Sequence, residues 1–142
     1  MRTLVLDTSV AIAWYLPEDF QPAAREWQRR ALDDEVRFVV PGFHFWELAN
    51  VLRTYVRRRE IDPELASETY GLHLEAPLEV REPDRRRVLE IALDYQATAY
   101  DAVYIALSLE LDVALLTAER TTTPWVERLG DRVELVRAPR PT

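Results

Sequence analysis

Leu4-Val5-Leu6-Asp7-Thr8-Ser9 decides how this chain is read. Three apolar residues in an unbroken run, rather than in alternation, are the pattern of a parallel strand covered on both faces. The hydroxyls of Thr8 and Ser9 predict an N-cap for a helix through 11–16, stopped by Pro17. The same rhythm recurs along the chain. A strand over 37–40 ends at Pro41-Gly42, and a helix over 43–59 follows with a core-facing stripe of Phe45, Leu48, Leu52, Tyr55 and Val56. Asp62-Pro63 opens a helix over 63–73 and Asp84 caps another over 85–95, with a short strand at 78–80 between them. A helix over 100–111, a strand over 113–117, a helix over 124–130 and a last strand over 132–136 complete the pattern. Strands alternating with helices predict a single α/β domain over 1–137. Its central sheet should have about five short parallel strands with helices on both faces. Residues 138–142 read as a loose tail.

Right-handed crossovers put every strand's C-terminal end on one edge of such a sheet, which is where its ligands bind. Four carboxylates should reach that edge. Asp7 closes the first strand, and Glu119 follows the run Val113-Ala114-Leu115-Leu116. Glu47 lies in the aromatic segment Phe43-His44-Phe45-Trp46-Glu47-Leu48, and Asp101 is the only charge from Ala97 to Leu109. Both fall in the first turns of their helices. An ionised carboxylate in low dielectric is costly unless something positive balances it. Only Glu119 has an adjacent arginine, Arg120. If the fold gathers the four, the simplest counter-charge is a divalent cation with oxygen ligands, Mg²⁺ or Mn²⁺.

Composition bounds the alternatives. The chain has 142 residues, no cysteine, 18 arginines and no lysine. Disulfides, thiolate metal sites and any mechanism needing a catalytic lysine are thereby excluded. No apolar run nears the length of a membrane span, and Met1-Arg2-Thr3 leads straight into a strand rather than a signal peptide, so a cytoplasmic location is expected. A net charge of −7 argues against bulk electrostatic capture of nucleic acid, although two divalent cations would offset more than half of it.

Metal-bound carboxylates can run phosphoryl chemistry without histidine, which suits a chain whose only histidines are His44 and His73. Gly42, Gly71 and Gly130 are the only glycines, so there is neither a GxGxxG nor a P-loop. A phosphoacceptor site of receiver type would need a lysine. Asp7-Thr8-Ser9 superficially resembles the nucleophile loop of haloacid-dehalogenase-type phosphatases, but Ser9 occupies the place of their second aspartate.

Four motifs in order resemble PIN-domain ribonucleases, and among them the compact VapC-type toxins. They are Leu4-Val5-Leu6-Asp7-Thr8-Ser9, Trp46-Glu47-Leu48-Ala49-Asn50-Val51-Leu52, Ala99-Tyr100-Asp101-Ala102-Val103-Tyr104-Ile105-Ala106-Leu107 and Leu115-Leu116-Thr117-Ala118-Glu119-Arg120. The resemblance covers nearly the whole chain. It implies an endoribonuclease using Mg²⁺ or Mn²⁺, with water as nucleophile and 5′-phosphate and 3′-hydroxyl products. It also implies a homodimer and, for the toxin members, a protein antitoxin that wraps the active-site groove. Asp7, Glu47 and Asp101 match the family's metal-binding acids, and Ser9 and Thr117 match its hydroxyls near the metal. Glu119 stands where aspartate is commoner. Its extra methylene would displace a direct ligand or give it a water-mediated role.

Blander roles stand beside these. Asp7 could cap the following helix, Glu47 could be solvated, Asp101 could serve the helix dipole, and Glu119 could pair with Arg120. The whole chain could be a catalytically degenerate binding module on this fold, or a small-molecule phosphohydrolase. Trp14, Tyr15 and Trp46 are candidates for a pairing face.

Overall fold

The computed structural model describes residues 1–138, so all but the first residue of the expected tail lies outside the described residues. Five strands form one sheet: β1 (Arg2–Leu6), β2 (Val36–Val40), β3 (Leu78–Val80), β4 (Ala114–Thr117) and β5 (Val133–Leu135). Their spatial order is β3-β2-β1-β4-β5, and every neighbouring pair is parallel. Around them run α1 (Thr8–Ala11), α2 (Gln21–Leu32), α3 (His44–Arg57), α4 (Pro63–Leu74), α5 (Arg85–Tyr95), α6 (Ala99–Leu111) and α7 (Pro124–Leu129). The expected α/β architecture is the observed one.

The unbroken apolar run has the consequence its pattern predicted. Leu4 and Leu6 join Phe38, Val40 and Leu116 beneath Val10, Trp14, Ala24 and Ala31 on one face. Val5 and Leu115 point the other way, against Ile91, Ile105, Trp125 and Leu129. Fully buried leucines such as Leu4, Leu6 and Leu116 each contribute about 1.5–3 kcal/mol. A third cluster seats α3 on the end of the first helical segment through Ile12, Leu16, Leu48 and Leu52. That packing fixes where the first turn of α3 stands.

Local departures from expectation have physical causes. The helix expected through 11–16 starts earlier, as α1 followed by a 3₁₀ turn, Ile12–Trp14. Such tightening is common at a helix end, and here it comes just before Pro17. Thr8 and Ser9 do not cap it; Asp7 is the N-cap residue, without a side-chain cap bond. Asp62 and Asp84 do cap, accepting from Leu65 N and Arg86 N. Thr98 caps α6 by accepting from Asp101 N at 3.0 Å, so that helix begins a residue earlier than expected. Trp14 belongs to the core at 3 % exposure and cannot help form a pairing face, whereas Trp46 is 73 % exposed.

Candidate functional site

The strand order reverses direction between β1 and β4, which makes the C-terminal ends of those two strands the switch point of the sheet. Asp7 follows β1 there, and Glu119 lies two residues beyond β4. Helix α3 leaves from β2 at the same edge, carrying Glu47 in its first turn. Helix α6 runs back to the start of β4, so its first turn, with Asp101, lies at that edge too. The fold delivers all four acids to one side.

Two of the carboxylates are held in the same manner. Asp7 is buried, and its Oδ2 accepts from Ser9 Oγ at 2.8 Å and Thr117 Oγ1 at 2.7 Å. Glu47 Oε1 accepts from Thr8 Oγ1 at 2.9 Å and from the Tyr104 hydroxyl at 2.6 Å. In each case two hydroxyls fix one oxygen, and none of the described hydrogen bonds engages the other. Ser9 Oγ also accepts from Ala118 N and Thr117 Oγ1 from Glu119 N, which ties the segment after β4 to Asp7. Ser9 and Thr117, expected as hydroxyls near a metal, both donate to Asp7. Thr8 and Tyr104 were missed as site residues. Tyr104 stands three residues after Asp101, one helical turn along, and that spacing was the available signal.

The acids feel one another. Burial raises the Asp7 carboxyl, its two hydroxyl partners pull it back, and Glu119 pushes it up again. Burial likewise raises Glu47 against Tyr104 and Thr8, with Asp7 adding to the rise. Asp101 is pushed up to about 6, first by burial and then by the charges of Asp7, Glu119 and Glu47. Among the described residues no salt bridge reaches any of the four, and the alternative pairing of Glu119 with Arg120 is not formed. The surroundings are acidic and lack a counter-charge.

Among the described residues, no three Asp, Glu or His side chains stand ready as a closed metal cage. Mutual repulsion would hold carboxylates apart in this way. The donor set nevertheless fits a hard cation: all-oxygen, anionic and partly dehydrated. Mg²⁺ keeps several of its waters and so spans carboxylates spaced more widely than a cage.

The supporting bond to Asp7 can be tested on its own. Thr117→Val keeps the volume of a fully buried side chain but removes the donor to Asp7 and the acceptor for Glu119 N. It should lower stability at pH 7 by about 1–2 kcal/mol. Urea denaturation measures it, and a midpoint equal to the parent's would show that the bond contributes nothing.

The PIN domain family's model matches residues 4–121. The crystal structure of PAE2754 from Pyrobaculum aerophilum is similar in fold, with a TM-score of 0.68 and 21 % identity over 91 % of this chain and 86 % of that one. A toxin–antitoxin complex from Klebsiella pneumoniae contains a chain similar at a TM-score of 0.59 and 13 % identity, over 96 % of this chain and 99 % of that one. No curated protein matches the sequence.

Proposed function

The chain belongs to the PIN domain family, whose members are generally nucleases, and from that premise we propose that it is an endoribonuclease dependent on Mg²⁺ or Mn²⁺. The observation that carries this reading is the gathering of Asp7, Glu47, Asp101 and Glu119 at the sheet's switch point, where among the described residues no cationic side chain is bridged to them. Asp7, Glu47, Asp101 and, directly or through water, Glu119 would hold the ion. When bound, such an ion acidifies a water and stabilises charge on the leaving oxygen of a phosphodiester. The chain's own part is to aim the acids: Ser9 and Thr117 orient Asp7, while Thr8 and Tyr104 orient Glu47.

A toxin role with a protein antitoxin as partner is supported by the fold shared with a chain of the Klebsiella pneumoniae complex, and the cytoplasm would be the setting of such a toxin. Homodimer formation draws on Trp46 and Tyr100, 73 % and 67 % exposed and each adjacent to a site acid. Light scattering at tens of micromolar should report twice the chain mass, and a monomer throughout would reject the dimer. Among the described residues no helix is long and apolar enough to cross a membrane.

The test is cleavage of a mixed-sequence RNA with Mg²⁺ or Mn²⁺ against EDTA, with a phosphomonoester as the comparison substrate. RNA should be cut only with metal. No cleavage under any metal condition would favour the degenerate binding module, and turnover of the monoester alone would favour a small-molecule phosphohydrolase. In the same assay Glu119→Gln should cost less than loss of Asp7, since the longer side chain suits a water-mediated contact. Glu119→Asp should retain or raise activity.

A further inference from the structure

Behind Glu47 runs a buried line of polar groups for which the proposed cleavage has no use. His44 Nδ1 lies 3.1 Å from Thr8 Oγ1 and 2.9 Å from the Tyr104 hydroxyl. His44 Nε2 lies 2.9 Å from His73 Nε2, and His73 Nδ1 lies 2.7 Å from the Tyr15 hydroxyl. Both histidines are fully buried. Tyr15, at the far end, lines a cavity of about 290 Å³ together with residues of α2 and α4.

The protons along this line follow from how Glu47 is best solvated. Thr8 and Tyr104 each carry a single hydrogen, with Glu47 Oε1, His44 Nδ1 and each other's oxygen in reach, and the carboxylate is the strongest acceptor for both. Their oxygens, 2.8 Å apart, then face His44 Nδ1 with lone pairs only. With both hydroxyl hydrogens on the carboxylate, that nitrogen carries a hydrogen and donates. Burial pushes His44 down to about 3, aided by its neighbour His73, and pushes His73 down to about 4, so each ring is neutral with one N–H. With Nδ1 protonated, His44 Nε2 is an acceptor. His73 Nε2 must then be the donor, which leaves His73 Nδ1 to accept from the Tyr15 hydroxyl. Every hydrogen bond points the same way, from Tyr15 to Glu47. The other tautomer at one ring alone would set two lone pairs, or two hydrogens, against each other inside the core, whereas both rings reversed together would run the line the opposite way and take one hydroxyl hydrogen from Glu47.

We propose that Tyr15, His73, His44, Tyr104 and Thr8 form a single one-directional hydrogen-bond relay that fixes Glu47 Oε1 and leaves its other oxygen free, making His44 and His73 positioning residues of the site. The proposal rests on the nuclease reading for its consequence but not for its geometry. The relay explains why two histidines 29 residues apart are buried in contact with no acid of their own. It also gives the site rigidity that two hydroxyls alone would lack, because a Thr or Tyr hydroxyl rotates unless its own oxygen is engaged.

The decisive experiment is side-chain ¹⁵N–¹H correlation NMR on the untagged protein, whose only histidines are these two. The expected spectrum has His44 protonated at Nδ1 and His73 at Nε2, both neutral from pH 8 to pH 5. In Tyr15→Phe the assignment should relax into a mixture of tautomers, because the outer donor is gone. The opposite tautomers, a mixture in the parent, or titration near pH 6.5 would each overturn the relay. None of these outcomes depends on RNA cleavage, so failure of the nuclease reading would leave them interpretable. Its consequence is read from His44→Asn, whose amide N–H can stand in for Nδ1–H, and His44→Phe, which keeps a ring and loses the donor. His44→Phe should lower kcat about tenfold with little change in KM, and should weaken the Mn²⁺-dependent rise in melting temperature severalfold. His44→Asn should stay within about threefold of the parent in both. Equal losses in the two variants would reduce His44 to a packing residue. If His44→Phe does not fold, Tyr15→Phe takes its place, with a kcat loss of about threefold expected and none overturning the positioning role.

Discussion

Replacing Asp7 or Asp101 by Asn should lower the proposed metal-dependent RNA cleavage at least about a hundredfold, or roughly 2.7 kcal/mol in the barrier. The substitution keeps the shape of the side chain and removes one negative charge. At Asp7 the loss falls on a buried carboxylate whose Oδ2 is already committed to Ser9 and Thr117. A neutral amide whose carbonyl accepts from the two hydroxyls would turn its N–H₂ toward the cation, and the flipped amide would set that N–H₂ against the hydroxyls while offering the cation one weaker oxygen. At Asp101 the loss falls on the acid most affected by the others, so the variant should fold well and still fail to cut. The pair therefore separates loss of activity from loss of structure. The measurement is the cleavage rate of a defined RNA with Mg²⁺ or Mn²⁺ against EDTA. Full activity in EDTA, or in both variants, would remove these carboxylates from the catalytic centre.

Much of the scaffold could be read from local pattern, because the pattern and the packing obey the same geometry. An unbroken Leu4-Val5-Leu6 has to be covered on two faces, and it is the centre of the sheet. Asp7 and Glu119 were placed by strand ends, and Glu47 and Asp101 by helix first turns; topology alone then carries them to one edge. Contacts set by tertiary packing could not be read in this way. The hydroxyls of Thr8 and Ser9 looked like caps because local rules assign them to the nearest helix. They turn instead to Glu47, 39 residues away from Thr8, and to Asp7. Tyr104 reads as one more apolar position on α6 until α3 is packed beside it. His44 and His73 carry no pattern at all, since their pairing depends on α3 and α4 meeting at a single crossing. Trp14 and Trp46 show the same limit, being indistinguishable by helical position yet one buried and the other exposed.

Without metal the clustered acids should make the protein less stable as pH rises, and added cation should reverse the trend. In the fold Asp101 is pushed from 3.8 up to about 6, so the folded state holds its proton more tightly than the unfolded chain does. Below pH 4 both states are protonated and there is no penalty. Between pH 4 and 6 the unfolded chain gives up its proton first, and folding stability falls as pH rises. Above about 6 the cost is fully present. A rise of that size corresponds to about 3 kcal/mol at full strength, and solvent screening of the half-buried side chain trims it to about 1–2 kcal/mol. Asp101→Asn removes this penalty and relieves Asp7 and Glu47 as well, so the metal-free variant should melt a few degrees above the parent at pH 7.5 and level with it at pH 4. Millimolar Mg²⁺ or Mn²⁺ should raise the parent's melting temperature at pH 7.5, because the ion binds the folded state alone. It should do so far less at pH 5, where protons compete for the same oxygens, and little in Asp101→Asn at either pH. Differential scanning calorimetry with and without metal reads all of these arms. A parent that gains nothing from metal at pH 7.5, together with an Asp101→Asn no more stable than it, would mean that the four carboxylates do not form one electrostatic unit.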